Sequence, residues 1–195
     1  MKSINKPLED LNAIKTIMDR STRFLSFSGL SGVFAGFSAL AGATYAFTVL
    51  KNQPENIITK LFTAAIAVLL FAVSVAVFLS YKKARKKGLP LWTPVSKRLV
   101  VSMAIPLVTG GLFILILINK EVFSLIIPVM LIFYGFSLVN AGKITFNEVF
   151  YLGLCQVLAG LISAILPEYS LYFWALGFGI LHIFYGLLMY RKYDR

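Results

Sequence analysis

The sequence predicts an all-α fold, a polytopic membrane bundle of six transmembrane helices with an amphipathic helix before the first span. Of the 195 residues, 58% are hydrophobic and only 14% are charged, whereas a soluble domain has about 25% charged residues. Six stretches contain no Asp, Glu, Lys or Arg, and each approaches the roughly 20 apolar residues that a helix needs to cross the hydrocarbon core. These predicted spans, which together form one transmembrane domain over 24–190, are residues 24–50, 61–81, 99–119, 122–142, 149–167 and 169–190.

The distribution of Lys and Arg predicts the orientation. If the N-terminus is inside the cell, the segments on the inner side hold 16 of the 19 Lys and Arg residues and the outer segments hold three. Such a bias is the positive-inside signal, so we expect a multi-pass protein of the bacterial inner membrane with both termini cytoplasmic. The net charge of +11 is then a topology signal. The loops are too short to offer a basic surface for nucleic acid, and we expect no such partner.

Residues 1–23 precede the first span and are predicted to be a cytoplasmic segment. Within it, residues 7–22 resemble an amphipathic helix, because Pro7 suits a first helical turn and apolar residues such as Leu8 and Leu11 share one face. With cationic residues beside it, this helix is suited to the inner membrane surface. Docking on a partner or on the loops of the chain itself is the alternative. Residues 191–195 are predicted to be a cytoplasmic tail.

The first span is rich in small residues. Ser28, Gly32 and Gly36 follow each other at intervals of four and form one ridge of the helix. Small residues let two helix backbones approach closely, which is a main source of attraction between helices in lipid. The ridge therefore predicts a helix that is buried in the bundle or that pairs with a second copy of the chain.

The connection 82–98 is the longest internal loop. We expect its five basic residues to contact anionic lipid of the inner leaflet, with a protein partner as the alternative. These residues are Lys82, Lys83, Arg85, Lys86 and Lys87.

Two prolines and one repeated motif mark the later spans. Pro106 and Pro128 predict bends, although broken helices around a binding site show the same pattern. The motif IFYG occurs at 132–135 and again at 183–186. This repetition hints at three parallel helical hairpins related by an axis along the membrane normal.

No charged residue lies deep in a predicted span. The nearest is Glu148, three residues after Thr145, and this spacing predicts a capping box at the start of the fifth helix. Charged groups inside the bilayer usually mark ion pathways, so their scarcity counts against a proton pump or an ion-coupled carrier.

Four uncharged polar residues are predicted to share one layer in the inner half of the membrane. Gln156, for example, lies about 12 Å along its helix from Glu148, and His182 about 12 Å from Tyr190. An unsatisfied polar group costs several kcal/mol in hydrocarbon, so we expect these side chains to face inward and to pair. The result is either a clasp that fixes helix register or a small polar pocket. The predicted cluster consists of Thr109, Tyr134, Gln156 and His182.

The sequence lacks the motifs of common catalytic centres, including HExxH, GxSxG and a Walker-type glycine loop. His182 is the single histidine and cannot make a bis-histidine haem site. Cys155 is the single cysteine, and burial in lipid suppresses its reactivity. We therefore expect no enzymatic activity, no cofactor and no metal site.

The stretch LEDLNAIKTIMDRSTRFLSFSGLSGVFAGFSALAGA, residues 8–43, resembles the start of a family of uncharacterised bacterial small six-span membrane proteins. The paired hairpins and the IFYG segments are more loosely similar to the repeat-built six-span acid-resistance membrane proteins. The first resemblance implies a membrane partner or a regulated stress role, and neither supplies a catalytic motif.

These observations leave two functional hypotheses. The first is a non-enzymatic membrane protein that acts through lipid or protein interactions, as an accessory, regulatory or stress-related component. Its partners would be anionic lipids, an unidentified membrane protein, or a second copy of the chain. The second is a small uniporter or channel with a polar layer around Gln156 and His182.

Overall fold

The computed structural model describes residues 28–86, 88, 90 and 92–194, and it confirms the all-α fold. Six helices are long and apolar enough to cross a membrane, and the described residues contain no strand. The predicted amphipathic segment 1–23 and Lys87 lie outside the described residues, as does the end of the tail at position 195.

Each predicted span corresponds to one helix. The helix α2 continues five residues past its charge-free stretch, since Lys and Arg side chains at a helix end can reach the headgroup region. Short 3₁₀ turns, Phe123–Leu125 and Pro167–Tyr169, lead into the fourth and sixth spans. The helices are α1 (Gly29–Asn52), α2 (Ile57–Lys86), α3 (Pro94–Asn119), α4 (Ile126–Ile144), α5 (Asn147–Ile165) and the sixth span α6 (Pro167–Asp194).

The prolines of the third and fourth spans do not break their helices. A capping box starts α3, in which the Thr93 hydroxyl accepts from the Ser96 backbone N–H at 3.1 Å. The helix then continues through Pro106 to its end. Pro128 is the third residue of α4, where its missing N–H has no intrahelical carbonyl to bind. The alternative of broken helices at these two prolines is therefore wrong.

The irregular backbone lies instead in α6. This span is α-helical over Ser170–Trp174, π-helical over Ala175–Leu181, α-helical again over His182–Met189 and π-helical over Tyr190–Asp194. Short π-helical stretches are rare and occur often at functional sites. No sequence pattern in this span predicted them.

The helices pack side by side in a row. α1 packs on α2 and α6, while α4 packs on α3 and α5, and α6 also contacts α5. As a result α2 and α3 are the outer helices. One core cluster, which includes Leu99, Leu138, Val149 and Met189, lies near the end where α6 finishes. We call this the basic end, because Lys82, Lys143 and Lys192 also lie there.

Two helix pairs, α4/α5 and α6/α1, are held by the same glycine packing, and we call each a junction. In the α6/α1 junction, a Cβ added to Gly36 would lie 2.6 Å from the Gly179 carbonyl oxygen and 2.5 Å from Ile183 Cγ1. In the α4/α5 junction, the corresponding distances from Gly160 are 3.0 Å to the Pro128 carbonyl oxygen and 2.7 Å to Ile132 Cγ1.

The glycines that end the two IFYG segments, Gly135 and Gly186, make equivalent contacts in the two junctions. A Cβ on Gly186 would lie 2.5 Å from the Val33 nitrogen and 2.7 Å from the Gly29 carbonyl oxygen. A Cβ on Gly135 would lie 2.8 Å from both the nitrogen of Val157 and the carbonyl oxygen of Gly153. The same backbone atoms meet in both junctions, which supports an internal repeat for these two helix pairs.

Candidate functional site

Three of the four predicted polar residues come together inside the bundle. Gln156 of α5 is fully buried and His182 of α6 is 6% exposed. Tyr134 of α4 reaches the same place, and its hydroxyl lies 2.7 Å from His182 Nε2. The three side chains come from three helices, so the cluster links the centre of the row.

The Gly177 carbonyl oxygen is the shared acceptor of the cluster. It lies 2.8 Å from Gln156 Nε2 and 2.9 Å from His182 Nδ1. Because a carbonyl can only accept, Nδ1 carries the proton, and the unprotonated Nε2 accepts from the Tyr134 hydroxyl. The 3.5 Å approach of Gln156 Nε2 to His182 Nδ1 then joins two donors and is not a hydrogen bond.

The Gly177 carbonyl can serve two side chains because its oxygen has two lone pairs. Gly177 lies in the π-helical stretch of α6. A Cβ at Gly177 would lie 2.5 Å from Gln156 Oε1 and 2.6 Å from Leu131 Cδ2. Only glycine therefore leaves room for the amide.

One acceptor of the cluster has no protein partner. Gln156 Oε1 is buried and makes no hydrogen bond. Exchanging the amide nitrogen and oxygen would place an oxygen 2.8 Å from the Gly177 carbonyl oxygen, which is repulsive. The orientation with Oε1 unpaired is therefore the favourable one, and the cluster keeps one free acceptor.

Aromatic rings surround the imidazole. Tyr134 and Phe178 stack near it, with ring centroids 5.5 Å and 6.2 Å from that of His182. The Trp174 ring extends this layer, 5.4 Å from that of Phe178.

The prediction that Thr109 belongs to this layer is wrong. Thr109 is exposed on α3, and its hydroxyl donates to the Ile105 carbonyl of the same helix at 2.8 Å. A threonine that bonds one turn back along its own helix has no unsatisfied donor. It can therefore face lipid without the cost that inward pairing was expected to relieve.

Cys155 does not join the cluster. Its side chain is exposed, whereas the hydrogen bonds of His182 go to Tyr134 and Gly177. The described residues contain no group of three His, Cys, Asp or Glu side chains that could hold a metal ion.

A second polar cluster lies at the basic end. Lys192 Nζ lies 2.5 Å from Glu148 Oε1, and the Tyr193 hydroxyl donates to the same oxygen at 3.1 Å. The predicted capping box is wrong, because the Thr145 hydroxyl donates instead to the Ala141 carbonyl at 2.7 Å and α5 begins without a side-chain cap. Glu148 thus ties α5 to α6.

A cavity of about 300 Å³ opens beside this ion pair. Its lining combines aromatic rings with one carboxylate and one ammonium group. The lining residues are Phe146, Asn147, Glu148, Tyr151, Lys192 and Tyr193.

Asp194 joins three helices at the basic end, and the sequence analysis missed it. Its Oδ2 accepts from the Gly29 backbone N–H at 2.7 Å and from the Ser28 hydroxyl at 3.2 Å, so it caps α1. Its Oδ1 lies 2.5 Å from Lys83 Nζ of α2. The position of Asp194 beside the Tyr-Arg-Lys-Tyr run gives no sign of these contacts, because both partner helices are distant in sequence.

The basic loop residues divide into two groups. Lys83 is not a free lipid contact as predicted, because its side chain is only 11% exposed and pairs with Asp194. Lys82, Arg85 and Lys86 are exposed and remain suited to anionic headgroups. Trp92 of the same connection is 65% exposed, and Lys97 Nζ lies 5.9 Å from the centroid of its ring.

The predicted small-residue ridge is buried inside the chain. Gly32 and Gly36 pack on α6, and Ser28 is bound to Asp194. The ridge is therefore not an exposed surface in this structure.

No protein-family model, curated protein or solved structure matches this chain. The resemblances drawn from residues 8–43 and from the IFYG segments stay predictions.

Proposed function

We propose that this chain is a non-enzymatic integral protein of the bacterial inner membrane that acts through protein or lipid interactions. The observation that carries the proposal is the hydrogen bonding of Tyr134, His182 and Gln156 around the Gly177 carbonyl, in which Gln156 Oε1 is the one buried atom without a partner. Polar groups that satisfy each other between three helices fix the register of those helices. They form a clasp rather than an array of free groups around a passage.

The lipid side of the proposal is supported by the basic end. Lys82, Arg85 and Lys86 are exposed at the end of α2, and each cation near an anionic surface contributes about 1 kcal/mol. With the positive-inside bias, this end faces the cytoplasm. An accessory, regulatory or stress-related role is in keeping with such an architecture.

The lipid interaction is tested by retention of phosphatidylglycerol after mild extraction. The variant Lys82→Gln/Arg85→Gln/Lys86→Gln is expected to retain several-fold less of this lipid than the wild type. The matched control removes the same charge from the other side, as Lys51→Gln/Lys60→Gln/Lys120→Gln, and is expected to retain the wild-type amount. Equal retention by both variants contradicts the proposed contact.

The alternative, a small uniporter or channel, is favoured by one observation, the unpaired Gln156 Oε1. The two functions are separated in proteoliposomes of the full chain, with proton, potassium, chloride and glycerol flux as readouts. We expect no flux above that of empty vesicles. Flux that is lost in Gln156→Leu while the protein stays folded would refute the interaction proposal.

A further inference from the structure

Two of the three helix pairs that connect successive hairpins are packed as junctions, and the third pair is not. The pairs α4/α5 and α6/α1 each join the second helix of one hairpin to the first helix of the next. The pair α2/α3 completes this series. In the described part of the chain, however, α2 and α3 hardly touch, and each packs mainly on its hairpin partner.

The α3 surface that corresponds to α1 and α5 can be identified from the sequence. The junction segments of α1 and α5 are GLSGVFAG, residues 29–36, and GLCQVLAG, residues 153–160. The α3 segment AIPLVTGG, residues 104–111, keeps the valine at the fifth place and the glycine at the eighth. Val108 and Gly111 therefore occupy the junction positions of α3.

The α2 surface that corresponds to the junction surface of α6 is identified by aligning the two helices at their basic ends. Tyr81 is followed by two basic residues, as is Tyr190 of α6. This alignment places Ser74 and Val77 at the positions of Ile183 and Gly186, the residues of α6 that contact α1. Ser80 and Met189, the residues just before the two tyrosines, are both buried, which supports the alignment.

All of these third-junction positions are open. Val77 and Val108 are 55% and 60% exposed, and Ser74 is exposed as well. A Cβ added to Gly111 would meet nothing within 4 Å, whereas at the equivalent Gly36 and Gly160 it would collide with a neighbouring helix. Glycine is a poor helix former, so an unused glycine at this position weakens α3 and gives no packing in return within one chain.

We propose that this open face binds a second copy of the chain, with α2 of each copy packed on α3 of the other. One chain presents both halves of the junction, the α2 half around Ser74 and Val77 and the α3 half around Val108 and Gly111. In the proposed dimer both α2/α3 contacts form together, related by a two-fold axis along the membrane normal, so that the assembly is closed. Small residues that allow close backbone approach drive such association in lipid. The inference rests on the proposed function, since it names the interaction partner.

The test is disulfide trapping between copies in native membranes. In a Cys155→Ala background, one copy carries Ser74→Cys and a differently tagged copy carries Gly111→Cys. The closed junctions place the equivalent residues in direct contact, so oxidation is expected to link the two tags. The matched control uses Phe71→Cys and Ile116→Cys, which are exposed on the same helices but point about 100° away from the face. We expect at least tenfold less product from the control.

Three results overturn the inference. A bond formed within a single chain that carries both Ser74→Cys and Gly111→Cys, without a link between tags, shows that α2 and α3 close on each other. Absence of any bond shows that lipid covers the face, and equal yields from the two pairs show random collision.

A second variant gives an independent readout. A Cβ at position 111 meets no atom of its own chain within 4 Å. Gly111→Leu is expected to convert a dimer in lipid nanodiscs to a monomer, while Ala164→Leu, at an exposed position of α5, leaves the dimer intact. A dimer that persists in Gly111→Leu contradicts the proposed face. The flux assay is separate from both readouts: a dimer that conducts refutes the proposed function alone, and a monomer without flux refutes this inference alone.

Discussion

The link from Asp194 to Lys83 and the start of α1 predicts a specific pattern of stability losses. Asp194 caps Gly29 through one oxygen and pairs with Lys83 through the other. Loss of a side-chain cap costs about 1 kcal/mol. Removing one member of a buried ion pair costs about 3 kcal/mol or more, because the remaining charge loses that partner. The side chains of Asp194 and Lys83 are only 9% and 11% exposed. Most of the cost of breaking a buried ion pair therefore applies to this pair.

The two contributions can be separated by three variants. Asp194→Asn retains an acceptor for the Gly29 N–H and is expected to lose about 2 kcal/mol, and Lys83→Met about the same. The double variant Lys83→Met/Asp194→Asn removes both members of the ion pair and is expected to lose only about 1 kcal/mol. The free energy of unfolding is measured for each by denaturant titration in mixed micelles, and the four values form a double-mutant cycle.

The reasoning is refuted if the double variant loses as much as the two single variants together. Additive losses would mean that Lys83 and Asp194 act independently. A cycle at a second pair of residues in the same protein, chosen from sites that do not touch, provides the additive control.

Four further substitutions test the polar clusters and the glycine packing. Tyr134→Phe removes the donor to the imidazole and is expected to lower the unfolding free energy by about 1 kcal/mol; an unchanged melting temperature contradicts the clasp. Thr109→Val is expected to change it by less than about 0.5 kcal/mol, because this hydroxyl bonds only its own helix, and a larger loss would reveal an inward role. Glu148→Gln is expected to lower the unfolding free energy by less than about 1 kcal/mol, since the Lys192 side chain is 57% exposed. This loss should vanish at a salt concentration of about 1 M, where the Debye length is about 3 Å. Gly135→Leu is expected to lower the unfolding free energy by about 3 kcal/mol or more through overpacking. Accumulation of the variant as a stable protein at the wild-type level would contradict this expectation.

The spans could be predicted from sequence because a helix in the hydrocarbon core of the bilayer must consist mainly of apolar residues. A charge-free stretch of about 20 residues has few alternatives to a membrane-crossing helix. The inward placement of Gln156 and His182 followed from the same argument, since buried polar groups in hydrocarbon need partners. In the structure the two side chains share the Gly177 carbonyl instead of bonding to each other, and Tyr134 contacts His182.

The wrong predictions concern partners that the spacing of residues in the sequence does not specify. Thr109 was expected to need a partner on another helix, but a threonine can satisfy itself on its own backbone. Lys83 was expected to face lipid, but a carboxylate from a distant helix reaches it. Helical periodicity assigns a face within one helix and does not say which neighbour covers it. The same gap hides Gly177, whose carbonyl accepts from Gln156 of another helix.

The pairing of α1 with α6 has a consequence for the order of assembly. Synthesis proceeds from the N-terminus, so α1 and α2 enter the bilayer before the helix that fits Gly29, Gly32 and Gly36 has left the ribosome. This contact forms only when the sixth span is inserted, and the capping of α1 by Asp194 forms with it. A nascent chain that stops short of α6 keeps a bare glycine surface in the lipid, which distinguishes it from a finished product for any protease that removes incomplete membrane proteins.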